Sequence, residues 1–156
     1  MFAVLVLFKR NSGLTEWSPS TECSHKLILS GLILHFKMED LYFTMFEMEE
    51  RTKLLLEAEG LTVALINPRI IKPMDTAVIE EYARKCRVVC TLEDHVMLHG
   101  FGAAVIDHLH TVGIQTPVER IAWPDEFIEH GKPDILRSLH GLTAEAAVEK
   151  VTSRLR

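Results

Sequence analysis

The sequence predicts an α/β fold, a three-layer sandwich with a mostly parallel central sheet and helices on both faces. Three observations point there. From residue 47 onward, helix-forming and strand-forming stretches alternate. Gly60 and Gly113 stand where a helix should end before the next strand, the usual place for a helix C-terminal glycine. Several strand candidates, Phe2 to Phe8 above all, are short and mainly apolar runs, as buried strands are.

In chain order, Phe2 to Phe8 is an apolar run ending at Lys9-Arg10-Asn11-Ser12-Gly13, hence a strand and a turn. Residues 14 to 26 carry Ser, Thr, Pro and Glu without periodicity and read as a loop. Leu27 to His35, interrupted by Gly31, reads as a bent strand or two short ones. Lys37 to Asp40 reads as a polar turn and Leu41 to Phe46 as a further strand. Glu47 to Glu59 is rich in Glu, Leu, Lys and Arg, all good helix formers. Leu61 to Ile66 is a buried strand closed by Asn67-Pro68. Asp75 can cap a helix running to Arg84, with Val78, Ile79 and Tyr82 as its apolar stripe. Arg87 to Leu92 is the next strand, Gly102 to Val112 the next helix, and Val118 to Trp123 the last strand. Ile135 to Leu139 makes a short helix. Thr143 caps the final one, in which Val148, Val151 and Leu155 share a face.

Composition excludes several classes of function. The 156 residues are 47% hydrophobic and 25% charged, ordinary for a globular domain. The net charge of −5 comes without blocks of like charge, so no nucleic-acid face is expected. The apolar start has no basic residue before it. It is short for a secretory core and for a membrane span, so it reads as a strand. Cys23, Cys86 and Cys90 fit no zinc or redox spacing and read as reduced thiols of a cytosolic compartment.

Chemistry, if any, gathers at two stretches. The first is Thr91 to Gly102, where Glu93, Asp94 and His95 close a strand and Gly100-Phe101-Gly102 turns into a helix. Such a turn can present backbone N–H groups to a phosphate. Here the third glycine of a dinucleotide motif falls on Val105, and Glu93 and Asp94 set negative charge beside the turn. The glycines therefore read as allowing a tight turn where the loop meets another domain or subunit. Glu93-Asp94-His95 is open to two readings, an acid–base or contact cluster and a solvated loop at the carboxyl end of a strand. The second stretch, Asp125, Glu126, Glu129 and His130, poses the same alternatives. The His95/His99 and His108/His110 pairs lack metal spacing, and no metal is expected. Arg10, beside Lys9, Asn11 and Gly13, could form an anion-binding turn. No nucleophile elbow and no Walker loop occurs.

Four segments occur in order: Asn67-Pro-Arg-Ile-Ile-Lys-Pro-Met-Asp75, Thr91-Leu-Glu-Asp-His95, Gly100-Phe-Gly-Ala-Ala-Val105 and Trp123-Pro-Asp-Glu-Phe-Ile-Glu-His-Gly131. With them the chain resembles the C-terminal, transketolase-type domain of the 1-deoxy-D-xylulose-5-phosphate synthases. The resemblance is specific from about Gly60 onward and looser over Lys37 to Glu59. There the family's Phe-Gly-Thr-Met strand-turn stands as Phe43-Thr44-Met45, without the glycine. Phe8 to Gly13 looks like a worn form of the family's Arg-Tyr-Pro-Arg-Gly-Asn-Gly, which would place Arg10 on the arginine that holds the substrate phosphate. Residues 1–36 then read as the tail of a pyrimidine domain plus linker, and 37–156 as the transketolase C-terminal-like domain.

The resemblance implies a condensation of pyruvate with glyceraldehyde 3-phosphate, losing carbon dioxide, in isoprenoid precursor synthesis. The cofactors would be thiamine diphosphate and magnesium. It also implies partners: pyrophosphate and pyrimidine domains on the same or a separate chain, in a homodimer of the bacterial cytoplasm or a plastid. The family's Gly-Asp-Gly and paired asparagines are absent, Asn11 and Asn67 being the only asparagines. No cofactor-binding or catalytic residue is therefore expected here. Glu93, Asp94, His95, Gly100, Gly102, Asp125, Glu126 and His130 are expected to form a contact edge. Alternatives are a non-catalytic assembly or regulatory domain, the corresponding domain of a 2-oxo acid dehydrogenase β subunit, and a flavodoxin-like small-ligand binder using the Gly100–Gly102 turn.

Overall fold

A computed structural model describes residues 3–10, 39–68 and 70–156, with side chains from Glu47 onward. The elements are β1 (Ala3–Arg10), α1 (Glu39–Ala58), β2 (Leu61–Ile66), α2 (Thr76–Lys85), β3 (Val88–Val96), α3 (Phe101–Thr111), β4 (Val118–Trp123), α4 (Pro133–Leu139) and α5 (Ala144–Leu155). The sheet order is β2-β1-β3-β4. β3 and β4 are parallel, whereas β1 is antiparallel to both neighbours, Leu5 facing Ile66 on one side and Ala3 facing Glu93 on the other. Strands β2, β3 and β4 thus run the same way, and β1 is the one reversed strand among those described.

β3 begins as a buried, mainly apolar run because both its faces are covered. Along β3, Val88, Cys90 and Leu92 point toward α1 and α5, where they meet Leu56, Ala147 and Val151. Val89 points the other way, to Ile79 of α2 and to Phe101, Val105 and Leu109 of α3. Burying each of the larger side chains contributes about 1.5–3 kcal/mol. Cys90 lies in the first of these layers, and burial pushes its thiol up to about 12, so it remains an inert thiol.

The helix boundaries follow local chemistry. Asp75 accepts a hydrogen bond from the Val78 backbone N–H at 3.3 Å, and Thr143 accepts one from Ala146 at 3.2 Å, each cap contributing about 1 kcal/mol. Gly60 and Gly113 take φ of +78° and +72°, the left-handed conformation that ends a helix cheaply only with glycine.

Three expectations are corrected. Leu41 to Phe46 is not a strand: it forms part of α1, which begins at Glu39 and so also absorbs the end of the expected polar turn. Short apolar runs do not distinguish strand from helix by periodicity. Without the glycine of the family's strand-turn, nothing between Glu39 and Ala58 breaks a helix. Lys9 and Arg10 lie in β1 rather than in a turn, Arg10 facing Leu61. β3 continues four residues past Leu92 to Val96, so Glu93, Asp94 and His95 belong to a strand rather than to a solvated loop. The readings for residues 11–38 lie outside the described residues.

α1 carries an unusual carboxylate. Glu49 is 4% exposed, and burial, with Glu50 adding to it, raises its pKa from 4.5 to about 7. The folded chain therefore holds this proton more tightly than the unfolded chain. The stability it confers is complete below about 4.5 and is lost as pH rises from there through about 7. Glu49→Gln should accordingly stabilise the chain at pH 8 by on the order of 2 kcal/mol, after allowance for solvent screening, and by nothing near pH 4. Urea melts of both proteins at the two pH values check this; a gain equal at both would sink it.

Candidate functional site

The carboxyl ends of β2, β3 and β4 lie at one end of the sheet, where ligands and partners of α/β folds gather. At that end β3 departs from regular pairing. Leu92 faces Ile121 and Val96 faces Trp123, so four steps along β3 match two along β4. The bulge holds Glu93, Asp94 and His95, and such irregularities re-aim side chains.

Glu93 is fully buried and faces the start of α3. Its Oε2 accepts the Phe101 backbone N–H at 2.6 Å, and its Oε1 accepts that of Gly102 at 3.0 Å. These are among the unpaired donors that every helix start presents, and its positive dipole end favours a carboxylate there. Burial nonetheless pushes the Glu93 carboxyl upward. The two backbone N–H groups, His95 and Arg120 pull the other way.

This arrangement explains both glycines. A Cβ on Gly100 would overlap Glu93 Oε2 and stand 2.6 Å from the Val96 carbonyl oxygen. A Cβ on Gly102 would stand 2.5 Å from Thr91 Oγ1 and 2.8 Å from Arg120 Cδ. Thr91 is fully buried, and its hydroxyl has no hydrogen-bond partner among the described residues. The Gly-x-Gly turn thus fits around side chains of the chain itself.

Asp94 points to the opposite face. It accepts from Trp123 Nε1 at 2.5 Å and from Arg137 at 3.1 Å, which ties α4 across the carboxyl end of the sheet. Trp123 also stacks at a tilt on His140, 5.7 Å between ring centres, and His140 lies 3.6 Å from Glu126. The His95 ring Nδ1 is 3.1 Å from the Val96 carbonyl oxygen. His95 and His99 border a cleft of about 770 Å³ together with Ile71, Lys72 and Met74. His99 itself takes φ of +58°, an uncommon conformation outside glycine that turns the loop into α3.

Of the expected contact residues, Glu93, Gly100 and Gly102 meet one another, and Asp94 and Glu126 join a second cluster through Trp123 and His140. Asp125 and His130 are exposed. Arg10 stands at the other end of the sheet, facing the first residue of β2. Sequence reasoning missed Thr91, Arg120 and Arg137, whose roles depend on contacts across 11 to 43 residues. Phe127 was also missed, although an aromatic among Asp125, Glu126 and Glu129 was visible as an oddity. Its side chain is entirely exposed. Ile70 and Leu98, on the loops after β2 and β3, are also exposed, at 64% and 49%.

Among the described residues, no group of three or more His, Cys, Asp or Glu side chains could hold a metal ion, and no helix is long and apolar enough to cross a membrane.

The family model for the transketolase C-terminal domain matches residues 44–147. The 1-deoxy-D-xylulose-5-phosphate synthase of Acidobacterium capsulatum is 48% identical over 108 residues, which is 69% of this chain and 17% of that enzyme. The synthase of Methylacidiphilum infernorum is 46% identical over 106 residues, 68% of this chain and 17% of its own. A split-gene transketolase, solved as an inactive beta4 tetramer, matches with a TM-score of 0.63 and 31% identity, over 71% of this chain and 36% of that one. The region shared with the two synthases is thus less than a fifth of their length.

Proposed function

Because the chain belongs to the transketolase C-terminal domain family, we propose that it is the third domain of a 1-deoxy-D-xylulose-5-phosphate synthase-like enzyme. Its task is contact rather than chemistry, made with the pyrimidine domain and a dimer partner. The observation that carries this reading is the apolar end of the sheet. The loops after β2, β3 and β4 each hold out one large apolar side chain, Ile70, Leu98 and Phe127. A fully exposed Phe127 makes no packing contribution in the chain alone, whereas buried aromatic anchors dominate interfaces. The domain unit in this reading is 37–156, with the strand of residues 3–10 completing its sheet.

The described residues do not fit thiamine diphosphate with magnesium. The helix start that could cradle a diphosphate already holds the Glu93 carboxylate, and carboxylate and imidazole groups do not converge in threes. The whole enzyme would hold that cofactor on its other two domains, and the chemistry of pyruvate decarboxylation would be theirs. A bacterial cytoplasm or a plastid is the compartment this reading implies.

Calorimetric titration of the isolated chain should give no magnesium-dependent uptake of thiamine diphosphate; tight uptake would overturn the reading. Added to the pyrophosphate and pyrimidine domains of such an enzyme, the chain should restore synthase turnover. Phe127→Ala should weaken that association by 2 kcal/mol or more, roughly thirtyfold. The second reading is an assembly domain without a catalytic complex. It is favoured by the split-gene relative being solved as an inactive beta4 tetramer. Association only with itself, and never with those two domains, would select it.

A further inference from the structure

The start of α3 is built as an anion site, and we infer that its occupant is supplied by the chain: Glu93 is a tethered anion that fills the place where a free oxyanion would otherwise bind. Three kinds of group lie at this turn. Backbone N–H groups of Phe101 and Gly102 point at one spot, at 2.6 and 3.0 Å from the carboxylate oxygens. The Arg120 side chain lies against the same turn, close to Gly102. Thr91 lies beside it, a fully buried hydroxyl that the Glu93 carboxylate leaves without a partner and that faces Gly102 from the strand below.

Two N–H donors and a hydroxyl are groups that hold a small oxyanion, and the Arg120 guanidinium, which donates to the Met97 carbonyl oxygen at 3.0 Å, adds positive charge nearby. A hydroxyl two residues before Glu93 on the same face of β3 has no reason to be polar in a layer otherwise formed by Val89, Phe101 and Val105. A site for a carboxylate or phosphate oxygen gives it one. The tether has a functional result. Since the glycine turn is occupied from within, phosphate-bearing ligands are excluded from it, and the segment from the end of β3 to the start of α3 is clamped at both ends. This inference concerns the turn alone and does not depend on the docking role proposed above.

Removing the tether should leave a site that free anions can fill. The full chain and its Glu93→Ala variant would be melted in sodium formate, sodium phosphate and sodium chloride at matched ionic strength. The variant should be stabilised saturably by formate and by phosphate beyond chloride. At ten times the dissociation constant its folding equilibrium constant should rise about elevenfold. The native chain should show no such response. Glu93→Gln, which keeps the pocket filled, should be destabilised yet indifferent to the anion. If Glu93→Ala does not fold in chloride, refolding in formate gives the same reading. A variant that behaves alike in all three salts, folded or unfolded, would overturn the inference. So would a native chain or a Glu93→Gln variant that responds to the anions as strongly as Glu93→Ala.

Discussion

Gly100→Ala is expected to lower the stability of the chain by about 3 kcal/mol, the upper part of the range for overpacking a filled site. The cost is steric. Gly100 has φ of −77° and ψ of −174°, which any residue adopts, so the backbone conformation contributes nothing to it. The new methyl would overlap Glu93 Oε2 and approach the Val96 carbonyl oxygen to 2.6 Å. The carboxylate cannot move aside without leaving the Phe101 and Gly102 N–H groups unpaired in a buried place. The carbonyl cannot move without shifting the end of β3. Gly131→Ala is the matched control, since its methyl would meet only the flexible end of Leu136, at 3.2 Å. It should cost under about 1 kcal/mol. In thermal melts of a chain this size the first variant should lose roughly 10 °C and the second no more than a few degrees. Equal losses would show that the close fit at Gly100 is not what constrains it.

That fit also marks where the sequence stops being readable. The alternation of helix and strand, the caps at Asp75 and Thr143, and the closing glycines were legible because each depends on residues within a turn of one another. The Gly-x-Gly turn was legible as a turn, and Glu93 as an acid beside it, but not the bond between them. That bond spans eight residues and needs a bulge in β3 that no local pattern encodes. Leu41 to Phe46 was misread because a short run of five apolar residues and Thr44 suits a strand as well as a helix, and only the helix-forming residues after them decide it. The reversed strand β1 could not be placed from its own residues, since an apolar run does not encode its neighbours or direction. Arg137 was invisible as a buried group, because an arginine on a short helix is ordinarily solvated.

Arg137 is also where the second large effect is expected. Asp94→Ala removes the acceptor that pairs with a guanidinium 8% exposed and with the indole N–H of Trp123. Removing one partner of a buried pair costs about 3–5 kcal/mol, because the remaining charge stays desolvated. Asp134 lies 3.5 Å from the other end of the guanidinium but is 84% exposed, so it compensates only in part. A loss of about 3 kcal/mol is therefore expected. Asp94→Asn retains an acceptor for one donor and should cost about half of that. The double variant Asp94→Asn with Arg137→Met removes the buried charge and should recover most of the loss, which separates charge burial from simple loss of packing. Urea unfolding followed by tryptophan fluorescence and far-UV circular dichroism measures all three. The values should change little between low and high salt, since a pair this enclosed is screened weakly. A cost below 1 kcal/mol for Asp94→Ala, or one that disappears in salt, would mean that the pair behaves as a surface contact and that α4 is held over the sheet by other means.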